Sequence, residues 1–363
     1  MLKGTALLAV LLVAAGCGSV EKAGKAEAVE FHLVYEKVIG EKGIWIADVD
    51  GSHARLLVPR GHLPAISPDG KWVTYSGECA ESDTSSCDTL YIVSTTHADK
   101  PRRLSTVVSG TIVWSPDSKR VVGESIGKLL SIEVASGKAV EVADGTFWGW
   151  SISPDGEQIV FARLEDPDAE LVLGTEVNLF VAGQDGGTAK RITDTGDAAE
   201  PVWGPKSITF AKLISCLPPA PQDALDQCKN NTWGRHEIWQ IEPDGSGRKT
   251  ITGPLPDRLQ AQGFTGLTPI DCSDDGRALL GCWANEWGCV PMAVDPVSGK
   301  ARQLDEAQGS DPVALSRDGQ VALVGGGGGG EVSPDDYIVM IVPYGGGKPK
   351  IVARGAVTPS WNR

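Results

Sequence analysis

Eight cysteines and five histidines are the residues of this chain best suited to covalent or metal chemistry. Six of the cysteines fall in pairs. Cys79 and Cys87, Cys216 and Cys228, and Cys282 and Cys289 each bracket a segment between two strand-like runs. Recurrence at equivalent places predicts three disulfides, which requires an oxidising compartment. Closing loops this short stabilises a fold by about 2–3 kcal/mol each in the chain-entropy model. Cys272 stands apart and is expected as a buried thiol on a strand. The spacings are too wide for a zinc site and no histidine lies beside them, so no metal is expected.

The histidines, His32, His53, His62, His97 and His236, are scattered. A structural role is favoured for each. His62, with Arg60, precedes a strand that could face a central channel. No Gly-x-Ser-x-Gly elbow is present, and Ser151 belongs to a strand. Asp48, Asp50 and Gly51 lack the remaining ligands of a calcium loop and read as a glycine turn. No catalytic residue and no cofactor are assigned. The groups that could meet a ligand are Arg60, His62, the aromatic pair Trp148 and Trp150, and the carboxylates Glu165, Asp166, Asp168, Asp197 and Glu200. For the tryptophans, packing between layers is favoured over ligand stacking. For the carboxylates, the competing reading is a solvated acidic face. The six glycines at 325–330 suit no phosphate cradle, which would need a helix after them.

These residues must be positioned by a repeated unit. Its clearest copy is Ile152-Ser153-Pro154-Asp155-Gly156, followed by Ile159-Val160-Phe161-Ala162. Proline presets φ at the first corner of a turn, the aspartate accepts a local hydrogen bond, and the glycine takes the left-handed position. The run after it is apolar on both faces, as in a strand between two layers. Related units are anchored at Ile66, Trp114, Trp203, Cys272 and Leu315. Each continues into two more strand-like runs, such as Leu90–Val93 and Arg103–Ser105. Repeats of roughly 40–50 residues built of short strands predict an all-β propeller. Six units are complete. Val357–Trp361 supplies an extra first strand, and the N-terminal runs supply the three strands that lack one. Joining them predicts a seven-bladed β-propeller of four-stranded antiparallel blades, closed by a composite blade from both termini.

These turns, the Leu-Tyr and Ile-Trp strands and the Arg-Leu-Ser and Arg-Ile-Thr ends resemble the TolB-like propeller repeat family, across nearly all of 29–363. The resemblance implies the fold and assigns no chemistry. The first residues resemble a bacterial lipoprotein signal. Lys3 precedes an apolar core at Ala6–Ala15, and Val13-Ala14-Ala15-Gly16-Cys17 resembles the lipobox, with Ala14 where leucine is usual. The resemblance implies cleavage before Cys17 and acylation of its thiol. The expected organisation is a signal peptide at 1–16, a lipidated cysteine and flexible tether at 17–29, and a propeller at 30–363. The expected location is exported and membrane-anchored, at the outer membrane and periplasm or the cell surface. A formal charge of −14 argues against nucleic acid as a partner. The expected function is a monomeric, non-catalytic binding or scaffold protein that meets a protein or small molecule at its long-loop face. The alternative is a propeller hydrolase or lyase with a site at the central channel.

Overall fold

The computed structural model describes residues 32–77, 89–96, 101–105, 109–165, 176–216, 234–253, 266–285, 288–304, 310–326 and 337–362. The signal peptide, the tether with Cys17, Cys79, Cys87, Cys228, Asp166 and Asp168 lie outside the described residues. Those described form strands and turns, with no helix among them.

The chain opens with β1 (His32–Lys37), β2 (Gly43–Asp48) and β3 (Arg55–Val58). Next come β4 (His62–Ile66), β5 (Trp72–Ser76), β6 (Leu90–Ser94) and β7 (Arg102–Ser105). They are followed by β8 (Ser109–Trp114), β9 (Arg120–Glu124), β10 (Lys128–Glu133) and β11 (Ala139–Asp144). A further four are β12 (Phe147–Ile152), β13 (Gln158–Leu164), β14 (Val177–Gly183) and β15 (Lys190–Arg191). Then come β16 (Ala198–Trp203), β17 (Ile208–Cys216), β18 (Gly234–Ile241) and β19 (Lys249–Thr250). The last are β20 (Gly266–Cys272), β21 (Leu279–Asn285), β22 (Gly288–Val294), β23 (Ala301–Gln303), β24 (Ser310–Leu315), β25 (Val321–Gly326), β26 (Ile338–Pro343), β27 (Lys350–Arg354) and β28 (Ala356–Trp361).

Consecutive strands pair antiparallel in sets of four. Five sets are separate sheets. The other two, β16–β19 and β20–β23, are joined into one sheet by a single parallel bridge between His236 and Gly266. Separate blades were expected here. The departure follows from Gly266, where a Cβ would stand 2.2 Å from the His236 nitrogen, so only glycine lets the backbones meet. The set containing β1, β2 and β3 takes β28 as its first strand, with Leu33 opposite Trp361. The His32 N–H donates to Asn362 Oδ1 at 2.7 Å. Leu33, Tyr35, Ala356 and Trp361 bury one shared cluster with Leu323 and Val339.

The Ser-x-Asp-Gly turns have the expected form. Gly70, Gly156, Gly276 and Gly319 hold φ of 72°, 76°, 69° and 67°, and Ser118 occupies the same position at 60°. The Ser153 hydroxyl donates to Asp155 Oδ1 at 2.5 Å and accepts from the Gln158 N–H at 2.9 Å. Asp155 also accepts from the Glu157 N–H at 3.0 Å. The same bonding recurs at Ser67 with Asp69, Ser115 with Asp117, Ser273 with Asp275, and Ser316 with Asp318. The turn at Ser153 delivers a second strand that packs both ways. Val160 and Ala162 of β13 enter the cluster toward β16–β19, whereas Ile159 and Phe161 enter the cluster toward β8–β11.

The first strands of the sets lie against one another in turn. β4 touches β8, then β8 touches β12, and so on through β16, β20 and β24 to β28, which touches β4 again. Side-chain acceptors clamp this inner circuit. Ser151 Oγ accepts from the Trp203 N–H at 3.0 Å, Asp271 Oδ2 from the Leu315 N–H at 2.8 Å, and Ser360 Oγ from the Ile66 N–H at 3.3 Å.

Candidate functional site at the bulges of the inner strands

Each first strand slips register against its neighbour near its beginning. A bulge leaves residues outside the ladder and redirects their side chains. In four sets the unpaired residues are Leu63-Pro64, Trp148-Gly149, Glu200-Pro201 and Thr358-Pro359. Leu63, Gly149, Glu200 and Thr358 have φ of 51°, 91°, 50° and 45°. Three of these precede proline, which further restricts their backbone, so the conformation is held by the surrounding ring. The bulges therefore sit at one level of the inner circuit, on the side where the loops between second and third strands emerge.

Two carboxylates meet the bulges. Glu36 of β1 is 8% exposed, and its Oε1 lies 2.7 Å from His62 Nδ1. Its Oε2 accepts from the Leu63 N–H at 3.4 Å and the Thr358 hydroxyl at 3.5 Å. It thus ties the bulge of β4 to the bulge of β28. The His62 side chain is 54% exposed. With Nδ1 engaged by Glu36, Nε2 is the ring nitrogen left for a further contact.

Glu200 is the second. The residue as a whole is half-buried, and its Oε2 is withdrawn from water. Burial pushes the carboxyl above the usual carboxylate range, opposed by a hydrogen bond with Thr268 of β20. Its Oε2 has no hydrogen-bond partner among the described residues. On the other side Gly149 comes close: a Cβ there would lie 3.3 Å from Glu200 Cα and 3.5 Å from Pro201 Cδ. Trp148, just before that glycine, is half-buried and packs on the cluster holding Ala198 and Phe210.

The other candidates are placed less suggestively. Asp197 is ion-paired with Lys212 and accepts from the Thr195 hydroxyl at 2.5 Å. Glu165 accepts from Asn178 Nδ2 at 2.9 Å and stands 3.3 Å from Arg191 Nη1. Both acidic residues thus carry their own counter-charge. Trp150 packs in the layer with Phe147 and Phe161, and its Nε1 has no partner among the described residues. Arg60 is exposed just before β4. Cys282 and Cys289 are bonded, with Cα atoms 5.5 Å apart. They stand inside the β21–β22 ladder, where Ala284 pairs with Cys289 and Cys282 with Pro291, rather than at the ends of a long loop. Cys272 is half-buried, not buried; its Sγ is 3.9 Å from the Trp203 carbonyl. Sequence reasoning had not singled out Glu36, Thr268 or Thr358. The available signal was the proline after Leu63, Glu200 and Thr358, which marks one position on three inner strands, with Pro269 and Pro312 one residue earlier on two more.

No family model and no curated protein sequence matches the chain. Solved structures do match it. An oligogalacturonate lyase in complex with manganese is 16% identical, with a TM-score of 0.57 over 90% of this chain and 85% of that one. The oligogalacturonate lyase of Vibrio parahaemolyticus is 12% identical, with a TM-score of 0.56 over 90% and 85%. TolB from Acinetobacter baumannii is 13% identical, with a TM-score of 0.52 over 91% and 81%. The fold is a β-propeller. At these identities the likeness reaches no further than the fold. Among the described residues, no three His, Cys, Asp or Glu side chains converge to hold a metal ion.

Proposed function

We propose that this chain is a binding propeller that takes its ligand at the bulged mouth of the inner circuit, and that it is exported and tethered through an acylated Cys17. One observation supports the binding reading above the others: Glu200 keeps a buried carboxyl with one oxygen unanswered among the described residues. Burying an unsatisfied polar group costs stability, so such a group persists where an incoming ligand can satisfy it. A thermal-shift panel of cationic, anionic and neutral small molecules tests the site. At least one class should raise Tm, since a ligand that binds only the folded state stabilises it. Thr358→Trp, which plugs the mouth from an exposed bulge, should abolish the rise. A panel without effect, or a rise that survives in Thr358→Trp, overturns the reading. The anchor is tested by fractionation: wild type should follow the membranes and Cys17→Ser should not.

A second reading, an enzyme at the same mouth, is favoured by the His62–Glu36 pair. A carboxylate that fixes one imidazole nitrogen while the other faces solvent is an arrangement suited to general base chemistry. Turnover of any substrate that falls with His62→Ala while binding persists would select it.

A further inference from the structure

The mouth has a preferred ligand charge. We propose that Glu200 is the anionic partner of an organic ammonium group, seated at the β16 bulge between Gly149 of β12 and Thr268 of β20. This inference rests on the binding reading above and names the class of ligand.

Four observations converge on it. First, Oε2 of Glu200 is buried and has no donor among the described residues. The neighbouring cation, Lys212, is committed to Asp197. A ligand that reaches Oε2 must therefore bring its own donor. Second, the near wall is small. Gly149 presents no side chain beside Glu200, where a Cβ would lie 3.3 Å from Glu200 Cα. An ammonium gains from the carboxylate it meets there. Third, the donor set is too sparse for a metal ion: no three candidate ligands converge among the described residues. A single carboxylate suits an alkylammonium, which needs few fixed contacts. Fourth, the chain carries a formal charge of −14, so its long-range field draws cations toward the surface. Burial raises the affinity of the Glu200 carboxyl for a proton in the empty site. A cation bound beside it lowers that affinity, so binding releases protons to solvent as the carboxylate pairs with the ammonium.

The test uses the folded protein, n-butylammonium as probe, and n-butanol as its neutral isostere. Binding is read from the indole N–H resonances of Trp148 and Trp150 and from tryptophan fluorescence. Butylammonium should bind saturably and release protons to the buffer, and butanol should bind at least about tenfold more weakly. Glu200→Gln, which keeps the side-chain shape without the charge, should weaken butylammonium by a similar factor. Equal binding of butanol and butylammonium overturns the inference and leaves the binding reading standing. Saturable butylammonium binding that is unchanged in Glu200→Gln also overturns it. Absence of saturable binding by either probe, with anions or neutral molecules stabilising the protein in the panel above, overturns it as well. Should Glu200→Gln fold poorly, the wild-type comparison of the two probes and its proton release still decide the matter.

Discussion

Glu200 puts a stability cost where a ligand would remove it. Its folded-state affinity for a proton is raised by burial, against an ordinary carboxyl in the unfolded chain. The sign follows from linkage. A group that holds its proton more tightly when folded costs nothing at low pH, and it destabilises the fold as pH rises past the unfolded carboxyl value. Glu200→Gln removes that dependence. The variant and wild type should melt together in acid, and the variant should gain about 1–3 °C in Tm as the pH reaches neutrality. A difference that does not change with pH would show that the carboxyl is not desolvated in the empty protein. This state could not be read from sequence. Glu200 stood among the carboxylates that could meet a ligand, with a solvated acidic face as the competing reading. Its hydrogen-bond partner Thr268 lies far along the chain on the next inner strand, and Gly149 of the preceding inner strand approaches its backbone. Glu36 escaped notice for the same reason, since its partners come from β4 and β28 at opposite ends of the chain. His62 was found, because an ionisable residue at the very start of an inner strand is a local signal.

At the scale of elements, the turns are the most legible feature. Ser-Pro-Asp-Gly specifies a turn through contacts confined to six residues, so periodic copies reveal the strands without knowledge of their neighbours. The short outer strands were less legible. β15 and β19 pair over two residues each, and the Arg-Ile-Thr end at Arg191-Ile192-Thr193 continues outside the ladder. The turns also carry a prediction. Ser153 is buried and its hydroxyl serves Asp155 and Gln158 at once. Ser153→Ala should cost about 1–2 kcal/mol by urea unfolding, from the two lost bonds. A change within the error of the titration would mean that water replaces the hydroxyl freely. Asp155 is held below the usual carboxylate range by the Ser153 hydroxyl and the Glu157 N–H, and Asp275 is lowered likewise by the Arg277 N–H and the Ser273 hydroxyl. Lowered carboxyls contribute stability above their unfolded value and lose it as pH falls through the folded one. The protein should therefore weaken steadily below about pH 4. Asp155→Asn should flatten part of that slope, and an unaltered slope would remove this turn from the account.

At the scale of the molecule, the composite set of strands is decisive. The termini of the described chain complete one another's sheet, and the inner circuit closes through β28 and β4. Removing residues 355–363 should expose the edge of β1, uncover Leu33 and Tyr35, and lower Tm by more than about 10 °C. A truncated protein that melts with the parent would show that the ring does not depend on its seam. The seam has one further consequence. His32 and Asn362 are hydrogen-bonded across a separation of 330 residues, while most other pairings are local hairpins. Nothing in the pattern of contacts requires the chain to break there. A circular permutant that joins Asn362 to His32 through a short linker, and opens instead at the exposed Ile126 between β9 and β10, would keep every strand in its place. It would also turn the most distant pairing in the protein into a local one and pass the slow, late step of closing the ring to β8–β11.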